Sequence, residues 1–142
     1  MGKLQRMPGR SFHHLDLVVT DVGRSRRFYE ELLAPIGWGP SGTIVGERGE
    51  TVWYLRGPGG SLGLRARQSD AHAVPYDRYA VGVHHIAFDA ASREAVDERH
   101  AWLLDRGVEI ESPPREYDYM PGYYAVFFYD PDGIKLEIVF VP

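Results

Sequence analysis

The chain repeats itself, and that repetition limits its fold more than any other feature. His13-His14-Leu15 returns as His84-His85-Ile86, 71 residues further on. The stretch Thr51-Val-Trp-Tyr-Leu-Arg-Gly-Pro-Gly-Gly-Ser-Leu-Gly-Leu aligns with Ala125-Val-Phe-Phe-Tyr-Asp-Pro-Asp-Gly-Ile-Lys-Leu-Glu-Ile at an offset of 74. Two well-separated anchors at nearly one offset imply a duplication, so the fold is expected to be two copies of one supersecondary unit. At 142 residues, the two copies suit a single compact domain with a shared core.

The order of elements within each copy follows from hydrophobic period and from start and stop residues. Ser11–Thr20 alternates as a strand, with His13, Leu15, Leu17 and Val19 on one face and Phe12, His14, Asp16 and Val18 on the other. Asp21 is a plausible N-cap for a helix through Ala34 with an apolar stripe of Phe28, Leu32 and Leu33, ended by Pro35 and Gly37. A weak strand near Thr43–Glu47, then Thr51–Arg56 and Ser61–Arg67 around Gly57-Pro58-Gly59-Gly60, complete the first copy. The second copy has a strand at Val83–Asp89 and a helix at Arg93–Arg106 capped by Ser92, with Val96, His100, Leu103 and Leu104 inward. Gly107 closes that helix. A short strand at Glu109–Glu111, an aromatic loop at Ser112–Gly122 and a final hairpin follow. The expectation is an α+β fold of two tandem βαβββ modules, 11–68 and 82–142, joined by a connection at 69–81. The modules would form a curved mixed sheet around a cavity, with residues 1–10 as a leader.

Composition excludes several classes. A formal charge of −4 offers no basic stripe for nucleic acid. The absence of cysteine removes disulfides, thiolate metal sites and cysteine nucleophiles. No apolar run approaches the roughly 20 residues of a membrane helix, and residues 1–11 lack a signal-peptide core, so a cytoplasmic location is expected.

The chemistry starts at the last hairpin. Asp130-Pro131-Asp132-Gly133 supplies a fixed φ, a short polar side chain and a residue free to adopt φ > 0, between two strand-like runs. In the second run Leu136, Ile138 and Phe140 share one face, and Lys135, Glu137 and Val139 the other. Glu137 is the anomaly, because a carboxylate in an apolar strand must face water or find a compensating partner. Equivalent strands occupy equivalent places in a duplicated fold, so His14 and His85 become symmetry mates that face the inside of the sheet with Glu137. Two imidazoles and a carboxylate make a three-ligand site for one divalent metal ion, and ligand type leaves Fe, Mn, Ni, Co and Zn all open. His13 and His84 would then lie on the helix side as structural residues. Counting back around the hairpin puts Phe127 opposite Glu137, with Tyr123 on the same side. Trp53, as the repeat mate of Phe127, and Arg65, two residues beyond Gly63, join Phe127 as candidate substrate contacts.

The same residues carry a family resemblance. His14-Leu-Asp-Leu-Val-Val-Thr-Asp21 leading into Phe28-Tyr29, His85-Ile-Ala-Phe, and Asp130-Pro-Asp-Gly-Ile-Lys-Leu-Glu137 resemble the vicinal oxygen chelate superfamily over about residues 11–141. That superfamily comprises glyoxalase I, bleomycin-resistance proteins, fosfomycin-resistance thiol transferases and extradiol dioxygenases. The resemblance implies metal ligands at His14, His85 and Glu137. It also implies one departure, since the fourth ligand of glyoxalase I, which doubles as its base, falls on Gly63. With that position empty, proton transfer would pass to a neighbour of the open site, for which His72 and Tyr123 are the candidates. A small oxygen-chelating substrate held by a Lewis-acidic metal, in a lyase, isomerase or dioxygenase, is the implied function. A non-catalytic protein of the bleomycin-binding type is the alternative. A homodimer is expected, because many small members pair and the edges of a short sheet gain from being covered.

Overall fold

The structure is a computed structural model that describes residues 12–68 and 74–142. It divides into two compact units, Met1–Ala71 and His72–Pro142. Each is a βαβββ module with its own four-stranded mixed sheet, so the expected tandem architecture is found as two sheets, one per module.

In module one, β1 (His14–Val19), α1 (Val22–Leu33), a 3₁₀ turn (Ala34–Ile36), β2 (Gly39–Val45), β3 (Thr51–Gly57) and β4 (Gly60–Ala66) follow in order. The sheet runs β1-β4-β3-β2, with β1 and β4 parallel and the other pairs antiparallel. The Asp21 side chain caps α1 by accepting from Arg24 N, as its position before the helix implies. The helix buries Ser25, Tyr29, Leu32 and Leu33. Phe28 is only half-buried, so the inward stripe lies one position round from the expected one. Leu17, Val19, Leu55, Leu62 and Leu64 form the sheet's side of this core.

Module two repeats the plan with β5 (Ile86–Asp89), α2 (Arg93–Asp105), β6 (Ile110–Glu116), β7 (Tyr124–Tyr129) and β8 (Lys135–Phe140), in sheet order β5-β8-β7-β6. Ser92 caps α2 through Ala95 N. The helix buries Val96, Arg99 and Leu103 against Phe88, Val126, Phe128, Leu136 and Ile138. Leu104 and His100 are not the inward pair expected: Leu104 is exposed and Arg99 takes the buried position with its stem. β6 is longer than the sequence suggested and runs through Pro113 and Pro114. Two prolines can stand there because β6 is an edge strand whose pairing with β7 shifts register on both sides of Ser112.

The hairpin that anchors the site follows its residue chemistry closely. Asp130 N donates to Ile134 O at 2.9 Å, and Asp130 Oδ1 accepts from both Asp132 N and Ile134 N. Gly133 takes φ = 87°, the left-handed conformation its lack of a Cβ allows. This loop sets the register that pairs Phe127 with Glu137, as counted from the sequence.

Candidate metal centre and substrate cavity

Strand alternation gives each sheet two faces. In module two, Leu136, Ile138 and Phe88 lie under α2, and Ala87, Glu137, Val139, Phe127 and Lys135 face the other way. On that second face is a cavity of about 490 Å³ with Glu137 at its floor. Glu137 is 1% exposed, and a buried carboxylate without partners would cost several kcal/mol, on the order of the penalty for any unpaired buried ion. Two groups compensate it. Its Oε1 lies 3.2 Å from His85 Nε2, and its Oε2 accepts a hydrogen bond from the Tyr123 hydroxyl. Burial first, and then the bond to Glu137, raise the Tyr123 pKa, so its phenol is a hydrogen-bond donor to Glu137 at neutral pH.

Tyrosines wall the cavity. Tyr117 stacks on Tyr119 at 5.2 Å and meets Phe127 edge-on at 5.4 Å, while Arg115 lies 3.9 Å over the Tyr117 ring. Lys135, two residues before Glu137 on the same face, sits 4.7 Å from the centre of the Phe127 ring and binds Glu111 Oε1 at 2.7 Å. Arg78 and Tyr129 donate to the other oxygen of Glu111. Burial alone would raise the Glu111 pKa, but the bonds from Lys135 and Tyr129 and the Arg78 charge outweigh it and hold the carboxyl low. Lys135 is thus neutralised at the cavity wall.

Module one carries the matching elements with different contents. His14 lines its own cavity of about 350 Å³ with His13, Tyr54, Arg56 and Ser61 among others. The partner of Gly63 across β3 is Tyr54, just as the partner of Glu137 is Phe127. The expectation that Trp53 would mirror Phe127 therefore fails by one residue. Gly57 pairs with Gly60 in module one, whereas Tyr129 pairs with Lys135 in module two. The shorter loop moves β3 one place against an alignment without gaps, and one place turns a strand residue to the opposite face. Trp53 consequently lies on the helix side, with the Arg26 guanidinium of α1 4.0 Å over its ring.

Arg65 does share the face of His14 and Gly63, but it is held in place. Its Nη2 binds Asp16 at 2.6 Å and its Nη1 binds Glu47 and Glu50 at 3.2 Å. Tyr54 completes this network by donating to Asp16, and its pKa is raised by burial first and then by Asp16. The network fills the space at Gly63. A Cβ there would come 2.3 Å from Asp16 Oδ1 and 2.6 Å from Tyr54 Cε1. A carboxylate thus does stand where a side chain at 63 would reach, but it belongs to Asp16 and is bound by Arg65.

The neighbouring histidines also depart from expectation. His13 and His84 do not pack under the helices; both are exposed and line the cavities beside His14 and His85. His13 Nδ1 lies 3.0 Å from His14 Nδ1, and His84 Nδ1 lies 2.8 Å from His85 Nδ1. His72 lies outside the described residues. Alternation could have found Asp16 and Lys135, since both share a face with a candidate ligand, but not the partners that hold them.

Among the described residues, no group of three or more His, Cys, Asp or Glu side chains is arranged to hold a metal ion. The pair His85–Glu137 nevertheless fits part of such a site. A cation about 2.1 Å from each atom would separate them by about 3.0 Å at a right angle and about 3.4 Å at a tetrahedral angle. The observed 3.2 Å falls between, and the Tyr123 bond to Oε2 leaves Oε1 as the donor.

Two tandem βαβββ modules, with an imidazole and a buried carboxylate facing a cavity in the second, define a class of α+β proteins. The chain belongs to the glyoxalase/bleomycin resistance protein/dioxygenase superfamily, whose family model matches residues 11–138. It is 32% identical over 135 residues to the uncharacterised protein YqjT of Bacillus subtilis, covering 89% of this chain and 96% of that protein. It is 26% identical over 130 residues to the metallothiol transferase FosB of Staphylococcus saprophyticus, covering 91% of this chain and 76% of that protein. Among solved structures, a glyoxylase/bleomycin resistance protein/dioxygenase domain from Frankia superimposes with a TM-score of 0.78 at 25% identity, over 93% of this chain and 98% of that one.

The crowding at Gly63 has a measurable consequence. Gly63→Ala is expected to lower stability by about 1–3 kcal/mol in urea unfolding. Much of that loss should disappear when Asp16→Ala is added, because the closest atom is then gone. Strict additivity of the two substitutions would show that the contact is relieved some other way.

Proposed function

We propose that the protein is a divalent-metal-dependent enzyme of this superfamily, acting on a small substrate that offers two neighbouring oxygens. The observation that carries the reading is the approach of His85 Nε2 to the buried Glu137 carboxylate, at 3.2 Å, on the floor of a 490 Å³ cavity. His85 and Glu137 would hold the cation, with His14 as third ligand. What supports His14 is its equivalence to His85: His14 opens β1 and His85 immediately precedes β5, and each lines a cavity and touches the histidine before it. Fe, Mn, Ni, Co and Zn all suit such a donor set. Bound there, the cation supplies Lewis-acid stabilisation of negative charge developing on the substrate oxygens.

The chain's own residues account for orientation and selectivity. Tyr123 donates to Glu137 Oε2 and fixes the carboxylate, while Phe127 and Tyr117 give the substrate an aromatic wall. Arg115 beside that wall is suited to an anionic substituent. Trp53 faces α1 and Arg65 is committed to Asp16, Glu47 and Glu50, so neither is assigned a substrate contact in this reading. The name of FosB, a metallothiol transferase, agrees with metal-dependent chemistry on this scaffold. A cytoplasmic enzyme is proposed. No described helix is long and apolar enough to cross a membrane.

Three outcomes test the reading. Elemental analysis of protein purified without an affinity tag should find one divalent metal per chain, and Glu137→Ala should lose it while keeping its far-UV dichroism. Stoichiometric metal in that variant would show that the ligands are misassigned, and a wild-type protein that binds none would favour the sequestration alternative.

Second, turnover of the methylglyoxal–glutathione hemithioacetal should stay near the uncatalysed rate. Gly63 has no side chain to take the substrate proton, and the Asp16 carboxylate that fills its space is bound by Arg65. Isomerisation far above background would mean that another base had taken the role.

Third, the protein is proposed to be a homodimer, since β2 and β6 each end their sheet with one side unpaired in their own module. Sedimentation equilibrium should return twice the 16.1 kDa chain mass at micromolar concentration, and a mass near 16.1 kDa would refute it.

A further inference from the structure

Each candidate imidazole ligand touches the histidine that precedes it through the same pair of atoms. The Nδ1···Nδ1 distance is 3.0 Å for His13–His14 and 2.8 Å for His84–His85. The rings meet edge to face in both modules, at centroid distances of 5.2 and 5.0 Å. Two copies of one geometry, in sheets whose other site-facing positions have diverged, mark a contact with a purpose common to both.

We infer that His84 and His13 are positioning residues that set which nitrogen of His85 and His14 carries the proton. This rests on the metal reading above. His85 turns Nε2 to Glu137 and Nδ1 to His84. A neutral imidazole has one N–H and one lone pair, so Nε2 can ligate only when Nδ1 bears the hydrogen. That hydrogen needs an acceptor, and His84 Nδ1 is the atom in reach. His84 then carries its own hydrogen on Nε2. Most metal-bound histidines give this role to a carboxylate or a backbone carbonyl, which can only accept. An imidazole can do either. Without a metal, His84 Nδ1–H can donate to His85 Nδ1, leaving the His85 Nε2–H to face Glu137. With a cation bound, the bond between the two rings reverses. Each ring keeps one proton throughout, so the exchange of tautomers releases none and no buried charge is made. His13 stands to His14 as His84 stands to His85.

The test uses full-length protein titrated with Zn(II), read by competition with a chromophoric chelator and by two-bond ¹⁵N–¹H correlation spectra of the histidine rings. Wild-type protein loaded with Zn(II) should show His85 metallated at Nε2 and protonated at Nδ1, and His84 protonated at Nε2. His84→Ala should bind the same stoichiometry with about 10–100-fold weaker affinity. His84→Gln, whose amide oxygen can accept the same hydrogen, should recover part of the loss. His84 is exposed, so unchanged thermal melting of the metal-free variants is expected. If His84→Ala binds Zn(II) as tightly as wild type, or His84 keeps its Nδ1 proton on loading, the inference is overturned while the metal site stands. If Glu137→Ala also keeps its zinc, it is the metal reading that fails.

Discussion

Glu137 is an ionisable side chain on a strand whose other fully buried positions are apolar, and the second module is arranged around compensating it. A carboxylate moved out of water loses far more solvation than one hydrogen bond returns, so it persists only where several groups converge on it. His85 reaches Oε1 from the residue just before the parallel strand β5, and Tyr123 reaches Oε2 from the residue just before β7. Neither contact would exist without the hairpin loop that fixes the register, which depends in turn on Asp130 accepting from Asp132 N and Ile134 N. The loop residues, the strand register and the carboxylate form one chain of dependence.

The comparison of modules shows what duplication leaves free to change. Ala87, Phe127 and Val139 surround Glu137 on its face, and their counterparts around Gly63 are Asp16, Tyr54 and Arg65. One module therefore keeps a single carboxylate among apolar neighbours. The other moves a carboxylate to the adjacent strand and satisfies it with a guanidinium and a phenol. The backbone plan is the same because the helix-facing leucines, isoleucines and valines are equivalent, and these supply the packing. The opposite face contributes less to the core and is free to carry chemistry in one module and a polar lock in the other.

Charge near the cavity is arranged by the same economy. Lys135 lies on the site face two residues from Glu137, where an unpaired ammonium would compete with His85 for the carboxylate. Glu111 removes that competition by binding Lys135, and Arg78 and Tyr129 hold Glu111 ionised. The carboxylate is left to the His85 imidazole and the Tyr123 phenol, with no lysine or arginine bound to it among the described contacts. That arrangement is the one the proposed metal reading requires, since a carboxylate already bound by a fixed cation competes poorly for a metal.

Residue order alone determined the repeat, the βαβββ plan, both helix N-caps, the tight loop before β8 and the pairing of Phe127 with Glu137. Each of these rests on local chemistry: hydrophobic period, a short side chain before a helix, a glycine where φ is positive. The same logic brought out His14, His85 and Glu137 and set His14 and Asp16 on one face. Tertiary structure decided the rest, because partners distant in the chain have no local signature. Trp53 turned to the helix side through a difference in hairpin loop length that a gapless overlay of the halves conceals. Nothing local announces that Arg65 would be taken by Asp16, Glu47 and Glu50, or that Tyr123 would donate to Glu137. The prolines of β6 read as loop because the intrinsic preference against proline in strands is overridden only at an irregular sheet edge. Periodicity assigns a side chain to a face, and only the folded neighbours decide what it meets there.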